Sequence, residues 1–189
     1  MSCKAQQSSL IQGIDKAASN QDVEDSVINQ LRNDNDLIIA YAVENFAWVK
    51  SIHYKIIAKK NNEWKAYLYN VNLMKPDVSK SFTEVKADKT ACDALADYIM
   101  QSKAWNIKGD QGSNFCPNGN TNCNINDAAS ARLWIITKRS VFNPSYYAPE
   151  FYQECCADSS RAVFLSIKIK IESCANFVQG STNNYKAKN

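Results

Sequence analysis

The sequence lacks the short motifs on which most catalytic and cofactor sites depend. Only 5 glycines occur among the 189 residues, and none completes the glycine-rich loops that cradle phosphate groups or a Gly-x-Ser-x-Gly nucleophile elbow. His53 is the only histidine, so a Ser–His or Cys–His mechanism would have to use it. Its alternation with apolar residues favours an exposed strand position instead. We predict no catalytic residue and no cofactor.

Long apolar runs and charge concentrated on one face are missing too. No apolar stretch reaches the roughly 18 residues of a membrane-spanning helix. The 22 basic and 19 acidic residues are mixed along the chain, whereas nucleic-acid-binding proteins gather Lys and Arg on one face. The densest basic pair, Lys168 and Lys170, alternates with isoleucines, which is typical of the solvent-exposed face of a strand. We therefore expect no nucleic-acid partner and no membrane span.

Glycosylation acceptors are absent although asparagine is abundant. The chain contains 21 asparagines but no Asn-x-Ser/Thr site, because Pro144 follows Asn143. A eukaryotic secreted protein with so many asparagines would be expected to carry such a site. The composition therefore favours a bacterial origin.

The first residues, Met1-Ser2-Cys3-Lys4-Ala5, resemble the mature start of bacterial lipoproteins, particularly the Ser-Cys-Lys starts of the Bacteroidetes. The resemblance covers about five residues and lacks the preceding apolar part of the lipobox. It implies that Cys3 carries a lipid anchor, which would be the only contact with a membrane. The expected location is then the periplasm or the outer membrane. The alternative is a free thiol or a disulfide to an outside partner.

The other cysteines are even in number and favour disulfides. They are Cys92, Cys116, Cys123, Cys155, Cys156 and Cys174. Zinc sites favour Cys-x2-4-Cys pairs, usually with histidine, and this sequence has no such pair. Disulfides form in oxidising compartments, which agrees with an exported protein. We predict three disulfides and no metal.

The pairing is only partly constrained by the sequence. Six cysteines allow 15 pairings. Cys155 and Cys156 are adjacent, so each is expected to bridge elsewhere. Pro117-Asn118-Gly119 favours a turn and predicts a local Cys116–Cys123 bridge, which leaves Cys92 and Cys174 for the adjacent pair.

Hydrophobic periodicity predicts an α+β domain. Asp22 is expected to cap a helix with apolar residues from Val23 to Leu31, and Thr90 to open a helix that reaches Met100. A hairpin is expected around Asn61-Asn62, with a type I′ turn. Further strands are predicted at 37–49, 132–140 and 162–173, and a short helix at 149–156.

The expected fold is a disulfide-stapled antiparallel sheet of about five strands with two or three helices on one face. Residues 1–18 are expected to form a flexible tether, 19–179 a single domain and 180–189 a disordered tail.

Two neighbouring segments are the candidate binding surface. The loop 106–130 is polar and contains Asn118 and Asn120, and the segment 142–152 is rich in aromatic residues. The aromatic candidates are Phe142, Tyr146, Tyr147, Phe151 and Tyr152. Flat rings bury much area with few rotors, although core packing is the alternative. Two acids among many amides in the loop make a poor calcium site.

The functional hypothesis is a non-catalytic exported lipoprotein domain that binds another protein. Its sharpest version is an immunity protein that covers a toxin in the periplasm, because covering requires shape and charge and no catalytic motif. The alternatives are a hydrolase of envelope glycans and a sugar-binding module. Glu150 and Glu154 could in principle serve glycoside hydrolysis, but neighbours on one helix rarely face each other across a cleft.

Overall fold

The computed structural model describes residues 3–17, 23, 25–45, 50–74, 78–110, 115–116 and 122–177. Its helices are α1 (Cys3–Ala17), α2 (Ser26–Asp34), α3 (Lys89–Ser102), α4 (Pro149–Cys155) and α5 (Ser159–Ser173), with a 3-10 turn at Ala104–Asn106. Its strands are β1 (Leu37–Asn45), β2 (Ser51–Lys60), β3 (Glu63–Asn72), β4 (Ser79–Val85), β5 (Ser130–Thr137), β6 (Val141–Phe142) and β7 (Ser145–Tyr147).

All seven strands belong to one antiparallel sheet in the order β4-β3-β2-β1-β5-β6, and β7 pairs with the start of β5. The predicted α+β class is confirmed, but the expected five strands are seven. β4 has the sequence Ser-Lys-Ser-Phe-Thr-Glu-Val and lies at the sheet edge. Its apolar and polar residues alternate too little for the sequence to predict a strand. β6 and β7 are two and three residues long, too short for a periodic pattern to show.

Helices cover both faces of the sheet, whereas the sequence predicted one. α1, α3 and α5 pack on the face that includes Ile39 and Tyr41. α2 packs through Ile28 and Leu31 on the opposite face, which includes Ile38. The physical reason is that β1 is buried continuously from Leu37 to Ala42, so both of its faces need a cover.

The hairpin of β2 and β3 is where the sequence placed it. Lys60 pairs with Glu63 across Asn61 and Asn62. The turn type differs from the prediction, because a type I′ turn needs positive φ at both central residues. Here Asn61 has a φ of 56° and Asn62 does not have a positive φ.

Helix α1 replaces most of the flexible tether that was predicted for residues 1–18. Leu10 and Ile14 are buried against the main core, which anchors the helix to the domain. Gly13 makes this packing possible, since a Cβ there would lie 2.7 Å from the ring of Trp105. The tail predicted at 180–189 lies outside the described residues.

Helix α5 is the largest correction, because residues 162–173 were predicted to form a strand. Phe164, Ile167 and Ile171 are buried at helical spacing, whereas Ile169 is 65% exposed. The Asp158 carboxylate accepts a hydrogen bond from Arg161 N at 2.8 Å and caps the helix. The alternation of isoleucine and lysine resembled a strand, while Asp158 carried the missed helix signal.

The helical assignment of α5 predicts unequal effects for two isoleucines that a strand would place on one face. Ile167→Ala should lower the free energy of unfolding by about 2–5 kcal/mol, since it opens a cavity in the core. Ile169→Ala, the matched control, should change it by no more than about 0.5 kcal/mol. Denaturant unfolding of both variants is the measurement, and similar losses would contradict the helix.

Candidate protein-binding surface

Two disulfides join the long loop to helix α4. Cys116 pairs with Cys156 and Cys123 pairs with Cys155, with Cα–Cα distances of 5.6 and 5.9 Å. Both distances lie in the ordinary range for disulfides. The expectation that the adjacent cysteines bridge to other segments is confirmed. The predicted local Cys116–Cys123 bridge is wrong.

The physical reason for the error is the packing of the loop on the end of α4. Cys155 is the last residue of α4 and is exposed, whereas Cys156 is its C-cap and is buried. Cys116 and Cys123 are both buried in one cluster with Cys156 and Tyr152. Turn propensity between Cys116 and Cys123 describes how the chain bends there, but not which segment packs against it.

The guanidinium of Arg161 lies beneath this attachment and is almost fully buried, with 1% of the residue exposed. It stands in the first turn of α5. Its Nη2 donates a hydrogen bond to the carbonyl of Phe115 at 2.6 Å, and its Nη1 donates to the carbonyl of Cys156 at 3.3 Å. The rings of Tyr146 and Tyr152 lie 5.6 and 5.8 Å from the guanidinium carbon. One buried cation therefore contacts the loop, the end of α4 and two aromatic rings.

Asp110 is the counter-charge of Arg161. Its Oδ1 lies 3.5 Å from Arg161 Nη2, and its Oδ2 accepts a hydrogen bond from Tyr147 N at 2.7 Å. Burial raises the pKa of Asp110 above its usual value, although the Tyr147 N–H and Arg161 both act in the opposite direction. The ion pair thus offsets only part of the cost of burying the carboxylate, as is common for buried pairs. Gly109 permits the close approach of the loop to β7, since a Cβ at this position would lie 2.6 Å from the carbonyl oxygen of Ser145.

The predicted aromatic binding residues divide by burial. Tyr146 and Tyr152 are each only 2% exposed, and the Tyr146 hydroxyl donates a hydrogen bond to the carbonyl of Lys108. Phe142, Tyr147 and Phe151 are half-buried. Two of the five predicted residues are therefore part of the packed interior, and three are partly exposed at the surface. Asn118 and Asn120 lie outside the described residues.

We use the name disulfide–aromatic patch for the half-buried apolar residues that pack around the two disulfides: Phe115, Ile125, Tyr147 and Phe151. The ring of Phe115 lies 5.3 Å from that of Tyr147 and 5.0 Å from that of Tyr152, and Phe151 meets Tyr152 edge-on at 5.1 Å. Exposed polar residues adjoin the patch along the chain, namely Asn124, Asn126, Asp127, Glu150 and Glu154. Sequence reasoning missed Phe115 because it is isolated in a polar loop.

The two carboxylates considered for glycoside hydrolysis do not face each other across a cleft. Glu150 and Glu154 are four residues apart on α4, and Glu150 pairs with Lys168 of α5 at 2.6 Å. This geometry gives no support to a pair of acid and base flanking a substrate.

His53 occupies an exposed position in β2, as expected. Its Nε2 lies 3.1 Å from Ser51 Oγ and its Nδ1 lies 2.8 Å from Asn70 Oδ1. A Ser–His–Asn row of this kind can orient a nucleophile. Ser51 is only 6% exposed, however, so substrate access to its hydroxyl is restricted.

The sulfurs of Cys116, Cys123 and Cys156 lie within 4.8 Å of one another. Metal ligation requires thiolates, and all three sulfurs are held in disulfides. Asp110, an acid of the loop considered for calcium, points to Arg161 and Tyr147 N instead. Neither group offers a set of metal ligands.

Cys92 and Cys174, predicted to bridge the adjacent pair, are both buried and unlinked. The side chain of Cys3 lies outside the described residues, although α1 begins there.

Comparison with models of known protein families finds no match, and comparison with curated proteins finds none either. Among the described residues, no helix has both the length and the apolar character to cross a membrane.

Replacing the buried cation should destabilise the domain. Arg161→Met retains the long apolar stem but leaves Asp110 without its counter-charge, so the free energy of unfolding should fall by about 3–5 kcal/mol. Arg139→Met, at an exposed position, is the matched control and should change it by no more than about 0.5 kcal/mol. Denaturant unfolding without reductant is the measurement, and equal stability of both variants would contradict the role of Arg161.

Proposed function

We propose that this chain is an exported, non-catalytic domain that binds another protein through the disulfide–aromatic patch. The observation that carries the proposal is the double attachment of the long loop to α4, above a buried Arg161–Asp110 pair. A loop that is already ordered loses less conformational freedom on binding. Such a loop favours affinity for a partner, and binding of this kind requires no catalytic motif.

The composition of the patch supports a protein partner. Protein interfaces have an apolar core enriched in aromatic residues and a polar rim, and the patch has half-buried rings next to exposed Asn and acidic residues. Asp127 and Glu154 make this rim acidic, although Glu150 is paired with Lys168 and the whole chain carries a formal charge of +3. Complementarity of charge therefore favours a partner with a basic contact surface.

The sharpest version of the proposal is an immunity protein that covers a toxin in the periplasm. An inhibitor of this type needs a rigid surface of suitable shape and charge over an ordinary interface area. The two disulfides support an oxidising compartment, and the lipoprotein-like start supports attachment through Cys3. Because α1 begins at Cys3 and is held to the core by Leu10 and Ile14, such an anchor would keep the domain close to the membrane surface.

Substitution in the patch should abolish capture of the partner. We expect wild-type protein to retain one dedicated basic protein from envelope extract, identified by mass spectrometry. Phe151→Ala should weaken binding to that protein at least about tenfold, since truncated aromatic residues at interface centres cost more than about 1.4 kcal/mol.

The matched control is Val78→Ala, an exposed apolar residue before the edge strand β4 at the far side of the sheet from β7. Val78→Ala should bind like the wild type. Equal binding by Phe151→Ala and Val78→Ala would contradict the patch. Cleavage or retention of envelope glycans, without any protein partner, would favour the hydrolase or sugar-binding alternative.

The lipid anchor is tested separately by fractionation of the bacterial precursor. Cys3→Ala should move the protein from the membrane fraction to the soluble periplasmic fraction, because the cysteine proposed to carry the lipid has been removed. Ser2→Ala, next to it, is the control and should stay with the membrane. An unchanged distribution of Cys3→Ala would rule out the anchor.

A further inference from the structure

Two buried cysteines outside the patch lie side by side. Cys92 is in the first turns of α3, Cys174 is the C-cap of α5, and neither is exposed to solvent. The Cys92 Sγ lies 3.9 Å from the carbonyl oxygen of Cys174, and the Cys174 Sγ donates a hydrogen bond to the carbonyl of Lys170 at 3.1 Å. The structure shows them unlinked.

The backbone holds this juxtaposition in place. Ala87 and Ala175 form an isolated antiparallel bridge. Next to it, Asp88 N donates a hydrogen bond of 2.6 Å to the carbonyl of Cys174. Asp88 is also the N-cap of α3, and Cys92 N donates to its carbonyl at 3.0 Å. The start of α3 and the end of α5 are therefore fixed to each other independently of the thiols.

Four of the other cysteines are not available as partners for this pair. Cys116, Cys123, Cys155 and Cys156 are already joined in two disulfides. A chain that forms these two bridges matures where thiols are oxidised. Two further thiols held at neighbouring backbone positions are subject to the same oxidation.

We propose that Cys92 and Cys174 form a third disulfide, which links the start of α3 to the end of α5. The bridge depends on the oxidising compartment that the other two disulfides indicate, and not on any binding partner.

The oxidant is a disulfide-containing compound, such as oxidised glutathione or a thiol–disulfide oxidoreductase. The thiolate of one cysteine attacks the oxidant's disulfide, forms a mixed disulfide and releases one thiolate of the oxidant. The thiolate of the second cysteine then attacks the sulfur of the first and releases the other. The two cysteines lose two protons and two electrons, and the oxidant's disulfide is reduced to two thiols.

This chemistry belongs to folding rather than to the finished domain. The neighbouring Cys92 thiol and burial both raise the pKa of Cys174 well above that of an ordinary thiol, so the reactive thiolate is scarce once the core has closed. The sulfurs are also out of reach of a soluble oxidant or reductant. We therefore expect the bridge to form while α3 and α5 are docking and to resist reduction afterwards.

Peptide mapping of the unaltered protein tests the bridge directly. Protein exported to an oxidising compartment is denatured with iodoacetamide and without reductant, and is then digested with trypsin. Cleavage after lysine and arginine places Cys92 in peptide 90–103 and Cys174 in peptide 171–186. The other two disulfides join peptides 109–132 and 140–161, so the two kinds of linkage are distinguishable by mass.

We expect 90–103 to be linked to 171–186. Alkylation of both peptides as separate species, or linkage of either to 140–161, would overturn the proposal.

Two variants sharpen the result. In Cys92→Ala, Cys174 should be alkylated fully in denaturant, and continued protection there would overturn the pairing. The matched control, Cys116→Ala with Cys156→Ala, removes one described disulfide as a pair and should leave the 90–103 to 171–186 linkage intact. Loss of the linkage in that control would contradict direct oxidation of the pair, since it would show that the bridge arises by exchange with the loop disulfides.

Discussion

The buried guanidinium of Arg161 is the interaction on which the rest of the proposed binding surface depends. A charge in the protein interior is costly unless it is paired and hydrogen-bonded. Here the acceptors are the carboxylate of Asp110 and the carbonyls of Phe115 and Cys156. These groups belong to the loop and to the end of α4, so the cation reaches these acceptors only when both segments are in place. Arg161 therefore holds the described residues of the loop against α4 and α5.

The two disulfides act on the same segments by a different physical route. They restrict the unfolded chain, whereas the ion pair and its hydrogen bonds specify the folded arrangement. The sheet provides the frame for both, because β7 pairs with β5 and Tyr147 N reaches Asp110 from that strand. The aromatic rings fill the space between the frame and the loop. This explains why Tyr146 and Tyr152 are buried while Tyr147 and Phe151 remain partly at the surface.

Local signals in the sequence predicted local structure well and long-range partners poorly. Asn61 and Asn62 located the hairpin, and Pro149 located α4. Ile167, Ile169 and Ile171 were compatible with both a strand and a helix. Residues two apart share one face of a strand, and residues four apart share one face of a helix, so a short run can fit both patterns. The disulfide pairing and the position of Arg161 depend on tertiary packing of α4, α5 and the loop. No pattern within one segment carries that information.

The central claim is that the patch is ordered before any partner binds, and amide hydrogen exchange of the free, oxidised protein tests it most directly. The relevant donors are Ala128 N, which donates to the Tyr147 hydroxyl at 3.0 Å, Tyr147 N, which donates to Asp110, and Ala148 N, which donates to Ala129 O at 3.0 Å. We predict that all three amides exchange slowly, with protection comparable to that of β5, because opening them requires the loop to leave the sheet. Exchange as fast as that of exposed loop amides would contradict a preformed binding surface.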